Sequence, residues 1–194
     1  PEDRIGLVTK KFVLFGSNKE LPDGRIIALN GEAGFQVDPL APGLYWGYWV
    51  WQYSIQLQEF VTIERGKIGL ISAKDGFPLQ TGRILARGVE CDDFQDGRAF
   101  LTNGGQKGKQ TKYLNTGVYR INKLLFDVYS CDLTVIEEGK VGIITTQDGE
   151  PLESGNIAGR PVEGHNNFQD FDKFLSEKGS RGLQTQFILA GSYT

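Results

Sequence analysis

The sequence predicts a mainly β fold: tandem antiparallel β repeats stacked end to end, each carrying at most a short capping helix. Three observations predict it. First, Gly66-Lys67-Ile68-Gly69-Leu70-Ile71 through Asp75-Gly76-Phe77-Pro78-Leu79 returns 73 positions later as Gly139-Lys140-Val141-Gly142-Ile143-Ile144 through Asp148-Gly149-Glu150-Pro151-Leu152. A fixed internal period means one structural unit used again. Second, short β-rich runs alternate with Gly and Pro along the whole chain. Third, many of the 26 glycines fall at matched positions of the period, as turn residues do and as a low-complexity linker does not.

The echo divides the chain into a short first repeat, residues 1–60, a second repeat with a helical insertion, 61–133, and a third, 134–194. In the first, Ile5-Gly6-Leu7-Val8 aligns with Ile68-Gly69-Leu70-Ile71, and Gly34-Phe35-Gln36 aligns with Asp93-Phe94-Gln95. On that alignment the first repeat lacks the stretch from about Gly97 to Gln110. The third stops shortly after its Gly191-Ser192-Tyr193 turn, so it reads as truncated, with the natural chain expected to continue. Met is absent, so a preceding segment is expected too.

The strands expected in order are Arg4–Thr9, Arg25–Asn30, Gln52–Ile63, Lys67–Ala73, Arg83–Val89, Val118–Ile121, Leu125–Val135, Lys140–Thr145, Asn156–Val162 and Phe187–Ala190. Lys74-Asp75-Gly76 and Gln147-Asp148-Gly149 read as hairpin turns, because Asp-Gly suits a type I′ turn. Each full repeat also shows one short helix. Asp93 or Asn167 is placed to cap its start, Phe94, Phe100 and Leu101 or Phe168, Phe171, Phe174 and Leu175 form its apolar side, and Gly104-Gly105 or Gly179 ends it.

Composition narrows the function. A net charge of −3 with scattered Lys and Arg gives no electrostatic case for nucleic acid. No apolar run approaches the roughly 18–20 residues of a membrane-spanning helix. Cys91 and Cys131 show no repeated disulfide or metal spacing, Cys91 aligning with Gly164, and read as reduced thiols. Gly105-Gln106-Lys107-Gly108-Lys109 only faintly resembles a phosphate loop: Gln110 stands where the magnesium-binding hydroxyl belongs, so a helix stop is the better reading. In Asp92-Asp93-Phe94-Gln95-Asp96, Phe94 occupies a calcium-ligand position and no Glu closes the loop. His165 is the single histidine, expected at the surface, and no nucleophile elbow accompanies it. Glu90 and Glu163 are matched positions, not a pair across one cleft. The sequence therefore predicts no catalytic residue, no metal site and no cofactor.

The most unusual stretch is Tyr45-Trp46-Gly47-Tyr48-Trp49-Val50-Trp51-Gln52-Tyr53, which holds all three tryptophans. Core packing of the first repeat is one reading. The other makes Tyr45, Trp46, Tyr48, Trp49, Trp51 and Tyr53 a candidate interface, with protein or with the membrane surface, since these rings favour boundaries with one apolar and one wet side.

Pro1-Glu2-Asp3-Arg4-Ile5-Gly6-Leu7-Val8 resembles the first strand of the SPFH, or band 7, superfamily, and Leu40-Ala41-Pro42-Gly43-Leu44-Tyr45-Trp46 resembles its Pro-Gly-Leu turn. The chain is most similar to bacterial flotillin-like proteins with β repeats near the N-terminus, and its repeat texture is similar to that of the major vault protein. A departure is that the β unit recurs where a single SPFH domain turns to its αβ part. The resemblance implies a membrane-associated scaffold forming large homo-oligomeric rings or cages that organise membrane microdomains. Its partners would be itself and membrane lipids, with an anchor and a coiled coil outside these residues. The alternative is a non-enzymatic binding module that presents the Asp75-Gly76 and Asp148-Gly149 turns as a repeated loop surface to a protein partner.

Overall fold

The structure is a computed structural model describing residues 3–14 and 20–194, so Pro1 and Glu2 of the SPFH-like lead lie outside the described residues. It is mainly β, with 38% of residues in strands and 6% in two short helices. Within 1–60, β1 (Arg4–Lys10) pairs antiparallel with β4 (Tyr53–Glu59) over its full length. Its other edge meets β3 (Gly34–Gln36), which is flanked in parallel by β2 (Ile27–Ala28). Within 61–133, β5 (Val61–Ile63) pairs with β8 (Gly117–Tyr119), and β6 (Lys67–Ala73) lies between β7 (Gly108–Leu114) and β9 (Phe126–Asp132). Within 134–194, β10 (Thr134–Ile136) pairs with β13 (Gly191–Tyr193), and β11 (Gly142–Thr146) pairs with β12 (Gly182–Ile188).

Backbone register follows the sequence period. Gly69 faces Leu114 as Gly142 faces Ile188, and Ala73 faces Gly108 as Thr146 faces Gly182. Both pairs carry a bulge at the same place, between Leu70 and Ser72 and between Ile143 and Thr145. The helices α1 (Gly97–Thr102) and α2 (Phe171–Ser176) each bury one phenylalanine completely, Phe100 and Phe174. Phe100 packs edge-on against Phe126 at 4.9 Å, within a core that continues through Ile121, Leu125 and Val37.

Several expectations are corrected. The helix caps are Asp96 and Asp170, whose carboxylates accept from the amides of Ala99 and Lys173. Asp93 and Asn167 sit instead in a left-handed turn before the helix, with φ of 49° and 53°. Asn103 and Glu177 close the helices, followed by Gly104 and Lys178 at positive φ; Gly179 comes one residue later. Runs 83–89 and 156–162 are not strands. Each contributes a single parallel bridge, Ala86 to Gln110 and Gly159 to Gln184, the counterparts of Ala28 to Gln36.

Those bridges also move the first repeat's alignment. Gly34-Phe35-Gln36 is the counterpart of Gly108-Lys109-Gln110 and Gly182-Leu183-Gln184, because β3 meets β1 as β7 meets β6. The same side chain performs the same task in all three. Gln36, Gln110 and Gln184 each donate from Nε2 to the carbonyl two residues earlier and to the carbonyl four residues earlier. Ala28 and Gln36 are eight positions apart and Ala86 and Gln110 are 24 apart, so the first repeat lacks a stretch between them that includes α1 and overlaps the expected gap at about 97–110, while Gly108–Gln110 have counterparts in Gly34–Gln36.

Candidate functional site

Two features of the surface and interior form the candidate site: a recurrent carboxylate junction and the aromatic stretch. Asp75 and Asp148 follow strands β6 and β11, and they do not make hairpin turns. Asp75 is fully buried. Its Oδ2 accepts from the amides of Ile26 and Ile27, both at 2.7 Å, and its Oδ1 accepts from the Gly76 amide at 2.7 Å. Nε of Arg25 approaches the same carboxylate at 3.3 Å. Asp148 repeats the arrangement on the preceding unit, accepting from Ile84 at 3.0 Å and Leu85 at 2.9 Å. Its own Gly149 amide donates at 2.7 Å, and Arg83 stands 3.5 Å away, ion-pair distance without hydrogen-bond geometry. Charge-assisted bonds of this kind are among the stronger ones, and a buried carboxylate requires them.

The recurrent glycine has its own reason. Gly76 has φ of 141°, and a side chain there would put its Cβ 2.5 Å from the Gly105 carbonyl oxygen; Gly149 meets the Gly179 carbonyl in the same way. Asp-Gly thus recurs because a carboxylate lock is followed by a tight backbone crossing. Asp75, Gly76, Asp148 and Gly149 are all buried, while Phe77 and Glu150 beside them are exposed.

Other contacts add to each junction. Arg98 on α1 bonds Asp38, with Nη2 at 2.6 Å. The corresponding residue on α2, Asp172, accepts from the Thr111 hydroxyl at 2.7 Å and from the Gly88 amide at 3.1 Å. Asn122 donates to the carbonyls of Gln36 and Val37 at 3.2 and 2.9 Å.

The aromatic stretch occupies the same backbone positions in the first repeat. Gln52 and Tyr53 donate to the Trp49 carbonyl as Leu125 and Phe126 donate to that of Asn122. Lys11 donates through Nζ to the Val50 carbonyl as Lys74 does to that of Lys123. Because Lys10 faces Tyr53 and Ala73 faces Phe126, Phe12 is the counterpart of Asp75. Where 61–133 carries Asp75 and Asn122, 1–60 therefore carries Phe12 and Trp49.

Core packing does not describe the tryptophans. Trp46 is 86% exposed, Trp49 61% and Trp51 50%. Phe12 stacks on Trp51 at 5.7 Å. The tyrosines form a separate edge-to-face row, Tyr45 to Tyr48 at 6.2 Å and Tyr48 to Tyr53 at 5.1 Å. Burial raises the Tyr48 phenol above its ordinary value, aided by Tyr53, Tyr45 and Asp38. With Leu44 and Val50 each 83% exposed, the stretch forms an apolar surface of the kind that marks an interaction site.

His165 is not at the surface. It is 4% exposed, stacked at 4.2 Å on Phe168, and its Nδ1 accepts from the Phe168 amide at 2.8 Å. Its Nε2 stands 3.3 Å from the Gln186 side-chain oxygen, to which it donates. Its counterpart is Cys91, since the Asp96 and Asp170 amides donate to the carbonyls of Cys91 and His165. Gly164 is the one inserted residue between the two numberings. Burial pushes the Cys91 thiol up, opposed by the Phe94 amide that donates to the sulfur. The glycine-lysine segment 105–109 leaves α1 and enters β7, with Lys107 bonded to the Gly24 carbonyl at 3.1 Å. Glu90 pairs with Lys112 at 2.6 Å. No group of three or more His, Cys, Asp or Glu residues placed to hold a metal occurs among the described residues, and no helix among them is long and apolar enough to cross a membrane.

The junction role of Asp75 and Asp148 and the glutamine brace were not read from the sequence. The recurring Gly-x-Gln at 34–36, 108–110 and 182–184 was the available signal for the brace. Comparison with protein-family models, with curated proteins and with solved structures finds no match in any of the three.

Proposed function

We propose that this chain is a non-enzymatic segment of a membrane-associated scaffold. Its β units stack end to end through the aspartate junctions, and copies side by side form the wall of a large homo-oligomeric ring or cage that organises membrane microdomains. The aromatic surface around Trp46, Trp49 and Trp51 faces the membrane-proximal end, and the anchor lies outside these residues.

One observation carries this reading. At matched backbone positions, the residues of 61–133 that bond to 1–60 are polar, Asp75 and Asn122, while those of 1–60 itself are aromatic and exposed, Phe12 and Trp49. Such a face suits a boundary that is apolar on one side and wet on the other. The resemblance of Ile5-Gly6-Leu7-Val8 and Pro42-Gly43-Leu44 to SPFH proteins supplies the membrane scaffold as its setting. Exposed apolar residues on short edge elements, such as Val118 at 62% and Val135 at 67%, give neighbouring copies a surface to cover. A heterologous contact repeated by rotation closes into a ring.

The test is particle size. The full-length protein, extracted gently from membranes, should give large regular particles by electron microscopy and light scattering, and Val135→Lys should shrink them before it affects folding. Monomers alone would contradict the scaffold.

A further inference from the structure

Asp75 and Asp148 each occupy a site made by the preceding unit: an Arg-Ile-Ile or Arg-Ile-Leu segment with two adjacent amides turned to one carboxylate. The same segment exists a third time, as Asn156-Ile157-Ala158. It is held in the same way from the other side, since the Gly159 amide donates to the Leu183 carbonyl at 2.7 Å as Ala86 donates to that of Lys109 at 2.8 Å. Yet among the described residues neither the Ile157 nor the Ala158 amide donates to any group. Ile157 is 86% exposed, against 41% for Ile26 and 48% for Ile84.

Two more features beside it are open. Strand β6 is paired on both edges, by β7 and β9, whereas among the described residues β11 is paired by β12 alone. A cleft of about 590 Å³ lies between 61–133 and 134–194, bordered by Leu70, Thr111, Phe168 and Phe171. Thr111 and Phe171 correspond to Val37 and Gly97, and at the earlier junction Val37 and Gly97 lie against Leu125, the residue just before β9.

We infer that this face is a docking site for one β repeat of the same kind as 121–194. Its first residues fill the cleft, its strand pairs with the open edge of β11, and the Asp-Gly pair of its next strand accepts from Ile157 and Ala158. Three open features of the fold carry this. A second copy seated head to tail is not the occupant, because its corresponding residue is Phe12, which has no carboxylate, and its Asp75 and Asp148 are already engaged. Asn156 replaces the arginine of the other two sites, so the carboxylate there would gain a neutral amide instead of an ion pair. The inference does not depend on the membrane reading.

Hydrogen exchange tests it. In the 194-residue protein, the amides of Ile27 and Leu85 should exchange about tenfold or more slowly relative to those of Ile157 and Ala158, the factor expected where a charge-assisted bond must open first. Equal protection at all three sites would overturn the open site. The chain is then extended after Thr194 by a second copy of residues 121–194, which continues the register. The first copy's Ile157 and Ala158 amides should slow by at least about tenfold, and Asp148→Ala in the appended copy alone, which removes the acceptor, should return them to fast exchange. Unchanged exchange in the extended protein, or equal slowing with the Ala variant, would overturn the proposal.

Discussion

Phe12 and Asp75 stand at the same place in two related units and have opposite surroundings. Asp75 is sealed in the interior, where its carboxylate accepts from three amides and faces one guanidinium; Phe12 is 39% exposed and stacks on Trp51. Asn122 and Trp49 differ in the same sense. The backbone around both pairs is alike, down to the lysine that reaches from position 11 or 74 to the following loop. The same backbone thus carries a polar lock where 61–133 meets 1–60 and an aromatic surface at the matching positions of 1–60. Side-chain chemistry at two positions sets which kind of boundary forms.

The largest effect should come from breaking the lock. Asp75→Ala strands three amides and Arg25, and should cost about 3–5 kcal/mol in urea unfolding. Asp148→Ala, whose arginine is farther away, should cost less, about 2–3 kcal/mol. Phe12→Asp should change stability by under about 1 kcal/mol, because Phe12 is 39% exposed. Equal losses at positions 12 and 75 would erase the contrast.

His165→Ala should cost about 2–3 kcal/mol, since it removes a packed ring and leaves the Phe168 amide without its acceptor. His165→Cys should recover part of that loss, because Cys91 holds the same turn in 61–133. Thermal melts of the two variants decide this, and a melt of His165→Ala matching the parent would show the ring is dispensable.

Cys91 gives a pH prediction. Burial raises its thiol above the ordinary value of 9.0, so the unfolded chain releases that proton first. Its contribution is present in full below that value and declines as pH rises past it. Stability should fall above about pH 9, and Cys91 should resist alkylation at pH 8 while half-buried Cys131 reacts. Equal labelling of both thiols would show that the turn opens readily.

The smallest effect on folding should come from the aromatic face. Trp46→Ser and Trp49→Ser should shift stability by under about 0.5 kcal/mol. A loss above about 2 kcal/mol would place these rings in a packed interior.

The repetition was legible because glycines and aspartates with one indispensable task recur at a fixed spacing. What Asp75 does was not, because its partners Ile26 and Ile27 lie 49 and 48 residues earlier, and Asp-Gly is locally indistinguishable from a hairpin turn. The runs 83–89 and 156–162 have β-rich composition but form no ladder: Ile84 and Leu85 donate to a carboxylate, and each run makes a single bridge. The pairing of Cys91 with Gly164 slipped by one residue at an insertion, which hid the match between a buried thiol and a buried imidazole. Phe35-Gln36 and Phe94-Gln95 share letters but not place, and only strand pairing separates them. The aromatic stretch was conspicuous by composition, while its exposure depends on where the fold places it.

All three tryptophans lie on that one face, so intrinsic fluorescence reports on it alone. Titrating the 194-residue protein with lipid vesicles, and following tryptophan emission against co-sedimentation, tests whether this face meets a membrane. The account predicts a blue shift that rises in step with vesicle binding and weakens in Trp46→Ser and Trp49→Ser. Emission that stays unchanged at saturating lipid, with the protein left in the supernatant, would contradict it.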